Sequence, residues 1–177
     1  RIIFCRTPPY MAQIIVDIAG IEVTRDPAAT LVTYSLGSCL GVAFYEPFAQ
    51  VGGMIHCMLP RSELDRQKAQ ERPGMFVDTG MFAVLKKLSR LGAKKTRCIV
   101  YAAGCARVLH GPTMFKIGQR NQRMFRAFMQ KNGMQPSIEE FGGESSRTIW
   151  LNMSDGTFTV RSNGRKTVYD WQASFLS

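Results

Sequence analysis

Three short apolar runs, residues 31–36, 40–45 and 51–58, follow one another with only Gly37-Ser38-Cys39 and the Glu46-Pro47 turn separating them. They are too short for core helices and rich in β-branched, aromatic and small residues, so they read as consecutive strands. The run at 13–18 reads the same way. Gly52-Gly53 weakens the strand it sits in, but lets another backbone or a ligand come close. Successive side chains on a strand face opposite ways, so His56 and Cys57 are directed to different sides of their sheet.

Helix signals follow this strand-rich half. Val77, Met81, Val84, Leu85, Leu88 and Leu91 recur at helical spacing, and Gly92 is placed to stop the helix as its C′ residue. Ile117, Met124, Phe125, Phe128 and Met129 mark a second amphipathic helix that stops near Gly133, with a strand at 98–102 between the two. The Met and Phe stripe of that second helix reads as core. Strands return at 137–141, 148–153, 157–162 and 167–171, and Asp155-Gly156 and Asn163-Gly164 are strong turn signals. The polar segment 61–73 reads as a surface loop, with a flap over the His56 strand as the sharper alternative. This pattern gives an α+β class: a layered sandwich of mixed β-sheets with two main amphipathic helices.

A chain of 177 residues with 45% hydrophobic and 20% charged residues suits one folded domain. Residues 1–11 read as a tail and residues 12–177 as a single domain. Prolines and then Asp17 interrupt any signal-peptide core near the start, and no apolar run is long enough to span a bilayer. The five cysteines are odd in number and contain no Cys-x-x-Cys pair, which favours reduced thiols in a cytoplasm. The net charge of +10 favours acidic partners, but the basic residues are scattered and no nucleic-acid recognition motif accompanies them, so nucleic acid is not the expected partner.

Cys39 and His56, on adjacent strands, are the minimum parts of a cysteine nucleophile with its base. The Gly37-Ser38 step before the thiol gives backbone N–H groups room to approach a substrate carbonyl. Gly53 is counted with Gly37 and Ser38 as substrate-adjacent. Thr33 has a hydroxyl that could hydrogen-bond an imidazole and fix its tautomer, and it is equally an ordinary β-branched strand residue. Arg120, Asn121, Arg147 and Gly142-Gly143 either bind substrate or shape turns. The strand parity of Cys57 argues against a Cys39/His56/Cys57 metal site. Cys105 with His110 is too few ligands for one, so neither metal nor cofactor is expected.

Taken in order along the chain, these residues resemble the CheD family, chemoreceptor glutamine deamidases of bacterial and archaeal chemotaxis. The resemblance rests on Thr33, Leu36-Gly37-Ser38-Cys39, Glu46-Pro47, and Gly52-Gly53-Met54-Ile55-His56-Cys57-Met58-Leu59-Pro60. It continues through Asp78-Thr79, Ile117-Gly118-Gln119-Arg120-Asn121, and Gly142-Gly143 with Arg147, and so covers residues 12–162. It implies Cys39 as nucleophile, His56 as general base and later acid, and Thr33 as the residue that orients His56. The implied reaction is hydrolysis of receptor glutamine side chains to glutamate and ammonia.

The resemblance also implies a fold similar to the catalytic domains of cytotoxic necrotizing factors. The implied partners are methyl-accepting chemoreceptors and a CheC-type phosphatase of phosphorylated CheY. A non-catalytic or dual-role regulator of that phosphatase is the alternative reading. Two positions depart from the family pattern. Glu46 replaces the usual Asp before Pro47. Cys105 stands where the family has a glycine, so its side chain is expected to narrow the site or alter the local turn.

Overall fold

The protein's structure, a computed structural model, describes residues 12–107 and 112–175. Among these residues, ten strands form two five-stranded sheets. In the first sheet, β1 (Ala12–Ile15), β3 (Ala29–Leu36), β8 (Arg147–Asn152), β9 (Phe158–Ser162) and β10 (Arg165–Tyr169) lie in that order. In the second, the order is β2 (Ile21–Thr24), β5 (Val51–Cys57), β4 (Leu40–Glu46), β6 (Ile99–Gly104) and β7 (Ile138–Phe141). Both sheets are mixed: β1 runs parallel to β3 and β6 parallel to β7, while the other pairs are antiparallel. The helices are α1 (Arg66–Glu71), α2 (Val77–Arg90) and α3 (Pro112–Lys131). Among the described residues no helix is long and apolar enough to cross a membrane.

The molecule has three layers. Between the sheets, Leu31, Leu36, Ile149, Leu151 and Phe158 of the first pack against Ala43, Tyr45, Met54, Tyr101 and Ala103 of the second. On the other face of the second sheet, Leu40, Val42, Phe44, Ile55 and Cys57 meet Val77, Met81, Val84 and Leu88 of α2 and Phe125 and Met129 of α3. The second sheet is therefore covered on both faces. Every residue of β4 and β5 is buried, which is why these two strands read as continuous apolar runs rather than alternating ones. Glycine sets the spacing between the sheets. A Cβ on Gly41 would lie 2.6 Å from Leu36 Cδ1 and 2.8 Å from Ile149 Cδ1.

The α+β class and its two main helices agree with the sequence. Gly92 closes α2 at φ +93°, with its own N–H bonded to Ser89 O and that of Ala93 to Leu88 O. Two expectations are corrected. The segment 61–73 is not a plain loop: it holds a 3-10 turn (Ser62–Leu64) and α1, and a second 3-10 turn (Pro73–Met75) follows. Asp78 at the start of α2 anchors it, accepting from the Ser62 N–H at 3.0 Å and from its hydroxyl at 2.9 Å. Strand β2 was also missed, because Ile-Glu-Val-Thr is short and half-exposed and pairs only along the edge formed by β5.

Candidate active site

The site starts with a fault in β3. Between Thr33 and Leu36 the register with β8 slips: Thr33 faces Ile149 but Leu36 faces Arg147, so β3 carries one extra residue. Ser35 takes up the bulge at φ +56°. Thr33 and Leu36 both face the second sheet, although ordinary alternation would set them on opposite faces. The chain then turns through Gly37-Ser38-Cys39 into β4. Three consecutive carbonyls of that turn are tied down. Ala106 N–H donates to Gly37 O at 2.8 Å, the Asn121 side-chain amide to Ser38 O at 3.0 Å, and Cys105 N–H to Cys39 O at 2.8 Å. Among the described residues nothing accepts from the N–H of Ser38 or Cys39.

His56 lies on β5 opposite Gly41 of β4, and Cys39 precedes Gly41 by two residues, so thiol and imidazole share the intersheet side. Cys57, one residue on, points to the helices, and its thiol donates to Phe76 O at 3.7 Å. The sequence parity of these two neighbours is realised in the structure. Gly53 does not join this group. It pairs with Phe44 and Val23 in mid-strand, and a Cβ there would meet Val23 and Leu88 on the helix side.

Thr33 Oγ1 lies 2.8 Å from His56 Nδ1 and donates its hydroxyl proton to Val16 O at 2.7 Å. A hydroxyl has one proton, so here it must accept from Nδ1–H. That fixes the tautomer and leaves Nε2 without a proton. The backbone between β1 and β2 holds the pair in place. Ala19 N–H donates to His56 O at 2.8 Å, and His56 N–H to Gly20 O at 3.2 Å. His56 is 1% exposed, and among the described residues its Nε2 has no hydrogen-bond partner. Burial lowers the imidazole from its ordinary value to about 4, against a weaker opposing pull from Asp17. Burial also raises the Cys39 thiol. The resting pair is thus a neutral thiol and a neutral imidazole, and no hydrogen bond joins them in this arrangement.

Asn121 of α3 is fully buried and clamps the site from the helix side. Its amide donates to Ser38 O and to Met58 O, both at 3.0 Å, linking the residue before the thiol to the chain just after the His56 strand. Among the described residues its Oδ1 has no partner. The sequence left Asn121 open between substrate binding and turn shaping; its one signal was the Ile-Gly-Gln-Arg-Asn motif. Arg147 braces a loop: its guanidinium donates to Gly142 O at 2.8 Å. Cys105 takes φ +53° beside Gly104 at φ +107°, a backbone that glycine adopts freely. Its side chain packs among the apolar residues on the helix side, away from the intersheet face. Among the described residues no three His, Cys, Asp or Glu side chains cluster to hold a metal, and His110 lies outside those residues.

Fold and site together define a class: a two-sheet α+β sandwich that sets a threonine-oriented imidazole and a free thiol on one intersheet face. The model of the family described as CheD chemotactic sensory transduction matches residues 58–162. A protein of Syntrophus aciditrophicus named "Probable chemoreceptor glutamine deamidase CheD 1" is 42% identical, over 87% of this chain and 96% of its own length. One from Solibacter usitatus, named "Probable chemoreceptor glutamine deamidase CheD", is 39% identical over 88% of this chain and 92% of its own. One from Methanococcus maripaludis with the same name is 32% identical over 86% and 97%. The chain belongs to the CheD family.

Proposed function

We propose that this protein is a chemoreceptor glutamine deamidase in which Cys39 is the nucleophile, His56 the general base and acid, and Thr33 the residue that orients His56. The reading is supported first by the names of the relatives above, each called a probable chemoreceptor glutamine deamidase. The structural observation that carries it is the unpaired, unprotonated Nε2 of a buried histidine whose other nitrogen is committed to Thr33. An unprotonated imidazole nitrogen on the face it shares with a thiol is suited to take that thiol's proton.

The chemistry follows from these positions. As the Cys39 sulfur attacks the side-chain carbonyl carbon of a glutamine, its proton passes to His56 Nε2. Negative charge develops on the carbonyl oxygen, and the free N–H groups of Ser38 and Cys39 are the donors for it. A single donor of this kind is worth about 3 kcal/mol in acyl-transfer enzymes. The imidazolium then gives its proton to the departing nitrogen, ammonia leaves, and a thioester remains on Cys39. Water attacks the thioester with its proton taken by Nε2, which releases glutamate and restores the thiol. Thr33 accepts from Nδ1–H throughout, so the same nitrogen faces the reaction at each step. The unprotonated Nε2 takes the thiol proton as the sulfur attacks.

The test is mass spectrometry of a recombinant chemoreceptor cytoplasmic fragment incubated with wild type and with Cys39→Ala, both checked for an unchanged thermal melt. Conversion of glutamine to glutamate by wild type alone is the expected result. Conversion by a folded Cys39→Ala protein sinks the nucleophile. Conversion by neither, with tight binding of a CheC-type phosphatase, moves the weight to the regulatory role.

A further inference from the structure

We propose that a basic cleft beside the thiol site, lined by Arg61, Arg120 and Arg123, is the specificity subsite that holds carboxylates flanking the target glutamine. This inference rests on the deamidase reading. The cleft measures 470 Å³ and lies between the segment at 60–64 and α3, where Glu63, Leu64 and Met124 are also part of its lining. Arg120, Arg123 and Met124 stand at i, i+3 and i+4 on α3 and so share one face of that helix.

Among the described residues, three guanidinium groups face a single carboxylate here. Glu63 approaches Arg61 only loosely, at 3.9 Å, and both side chains are more than half exposed. Arg120 and Arg123 make no ion pair among the described residues. The arginines elsewhere that brace the structure are engaged: Arg97 with Glu46, Arg126 with Glu139, and Arg147 with loop carbonyls. Like charges gathered without counter-charges repel one another, and an anionic partner relieves that repulsion.

The cleft is joined to the site by a short covalent path. Arg120 adjoins Asn121, whose amide touches the carbonyls of Ser38 and Met58. Arg61 lies three residues beyond Met58. On this proposal, a polypeptide whose glutamine reaches Cys39 extends its neighbouring residues past Asn121 and the chain at 58–60 toward this cleft. Guanidinium groups offer forked donors for carboxylates, and exposed Leu64 with Met124 offers apolar surface between them. No aromatic platform for stacking bases lines the cleft, which favours an acidic polypeptide over nucleic acid.

The experiment compares Arg120→Glu/Arg123→Glu with Arg165→Glu/Lys166→Glu, which makes the same charge change on exposed β10 of the far sheet. Two readouts are taken: turnover of a chemoreceptor cytoplasmic fragment, and affinity for that fragment in a Cys39→Ala background, where binding does not depend on catalysis. The expected result is a loss of affinity and of kcat/KM of about tenfold or more for the cleft variant, carried by KM and shrinking as salt is raised. Reversing the acidic residues that flank the glutamine to lysine weakens wild type and partly restores the cleft variant.

A cleft variant that matches the β10 variant in both readouts overturns the proposal, and wild-type turnover in that experiment leaves the deamidase reading standing. No turnover by wild type, with affinity still lost in the cleft variant, separates the two the other way. Loss of affinity for a single-stranded oligonucleotide, with affinity for the fragment retained, assigns the cleft to nucleic acid and overturns the proposal too.

Discussion

The β4–β5 hairpin buries an ionisable side chain at each end and treats the two in opposite ways. At the turn end Glu46 is fully buried and its carboxylate is satisfied. Phe48 N–H donates to Oε1 at 2.9 Å, and Arg97 donates to Oε2 at 2.7 Å. Burial works to raise the Glu46 carboxyl, but the hydrogen bonds from Arg97, Phe48 and Lys94 and the charge of Arg97 together hold it below its usual value. At the open end His56 is as well buried, yet among the described residues only one of its ring nitrogens has a partner. A buried carboxylate with both oxygens bonded stabilises the fold; a buried imidazole open at one nitrogen is the arrangement that the proposed proton transfer needs.

Substitutions at the two ends should therefore fail in different ways. His56→Gln is expected to lower kcat/KM by more than about a thousandfold in an ammonia-release assay while the protein stays folded. Activity near wild type would place the base elsewhere. Thr33→Val leaves Nδ1–H unpaired and frees Nε2 from its fixed tautomer, so kcat should fall about a hundredfold. Thr33→Ser, which keeps the hydroxyl, should recover most of that loss. Equal activity in the two Thr33 variants would reduce Thr33 to packing.

At the turn end, Glu46→Gln should cost about 2 kcal/mol in urea denaturation at neutral pH, because it strips Arg97 of its partner, and should leave kcat/KM within about twofold. Glu46 has a depressed folded value, so its contribution is present above 4.5 and is lost as pH falls through the folded value. The gap between wild type and Glu46→Gln should close in acid.

The smallest effect is the pH dependence set by His56. Its folded value of about 4 lies below the ordinary 6.5, so between these two the unfolded chain binds the extra proton and stability falls as pH falls. From pH 6.5 to 5 this amounts to on the order of 1–2 kcal/mol, and His56→Gln should remove that slope. Catalysis should persist through the same range, since the folded imidazole stays neutral there. An activity profile that collapses near pH 6.5 would contradict the burial of this base.

Much of this was legible in the chain because it depends on local periodicity. A strand alternates, so His56 and Cys57 had to part. A helix returns every three to four residues, so the apolar stripes of α2 and α3 named their buried faces. Gly92 and Asn163-Gly164 sit at positive φ, as their turns require. Other features depend on residues far apart in the chain, which no local pattern reports. Thr33 meets His56 only because one sheet lies across the other, at a distance that glycine at 41 permits. The β3 bulge that brings Leu36 and the thiol turn into place shows only in the register with β8. Asn121 clamps both sides of the site from a helix more than sixty residues away from either contact. The sequence by itself determined which residues were at hand for the proposed chemistry and that His56 and Cys57 would take opposite faces of their sheet. Tertiary packing decided which nitrogen of His56 is free, because that depends on where the single proton of the Thr33 hydroxyl is spent.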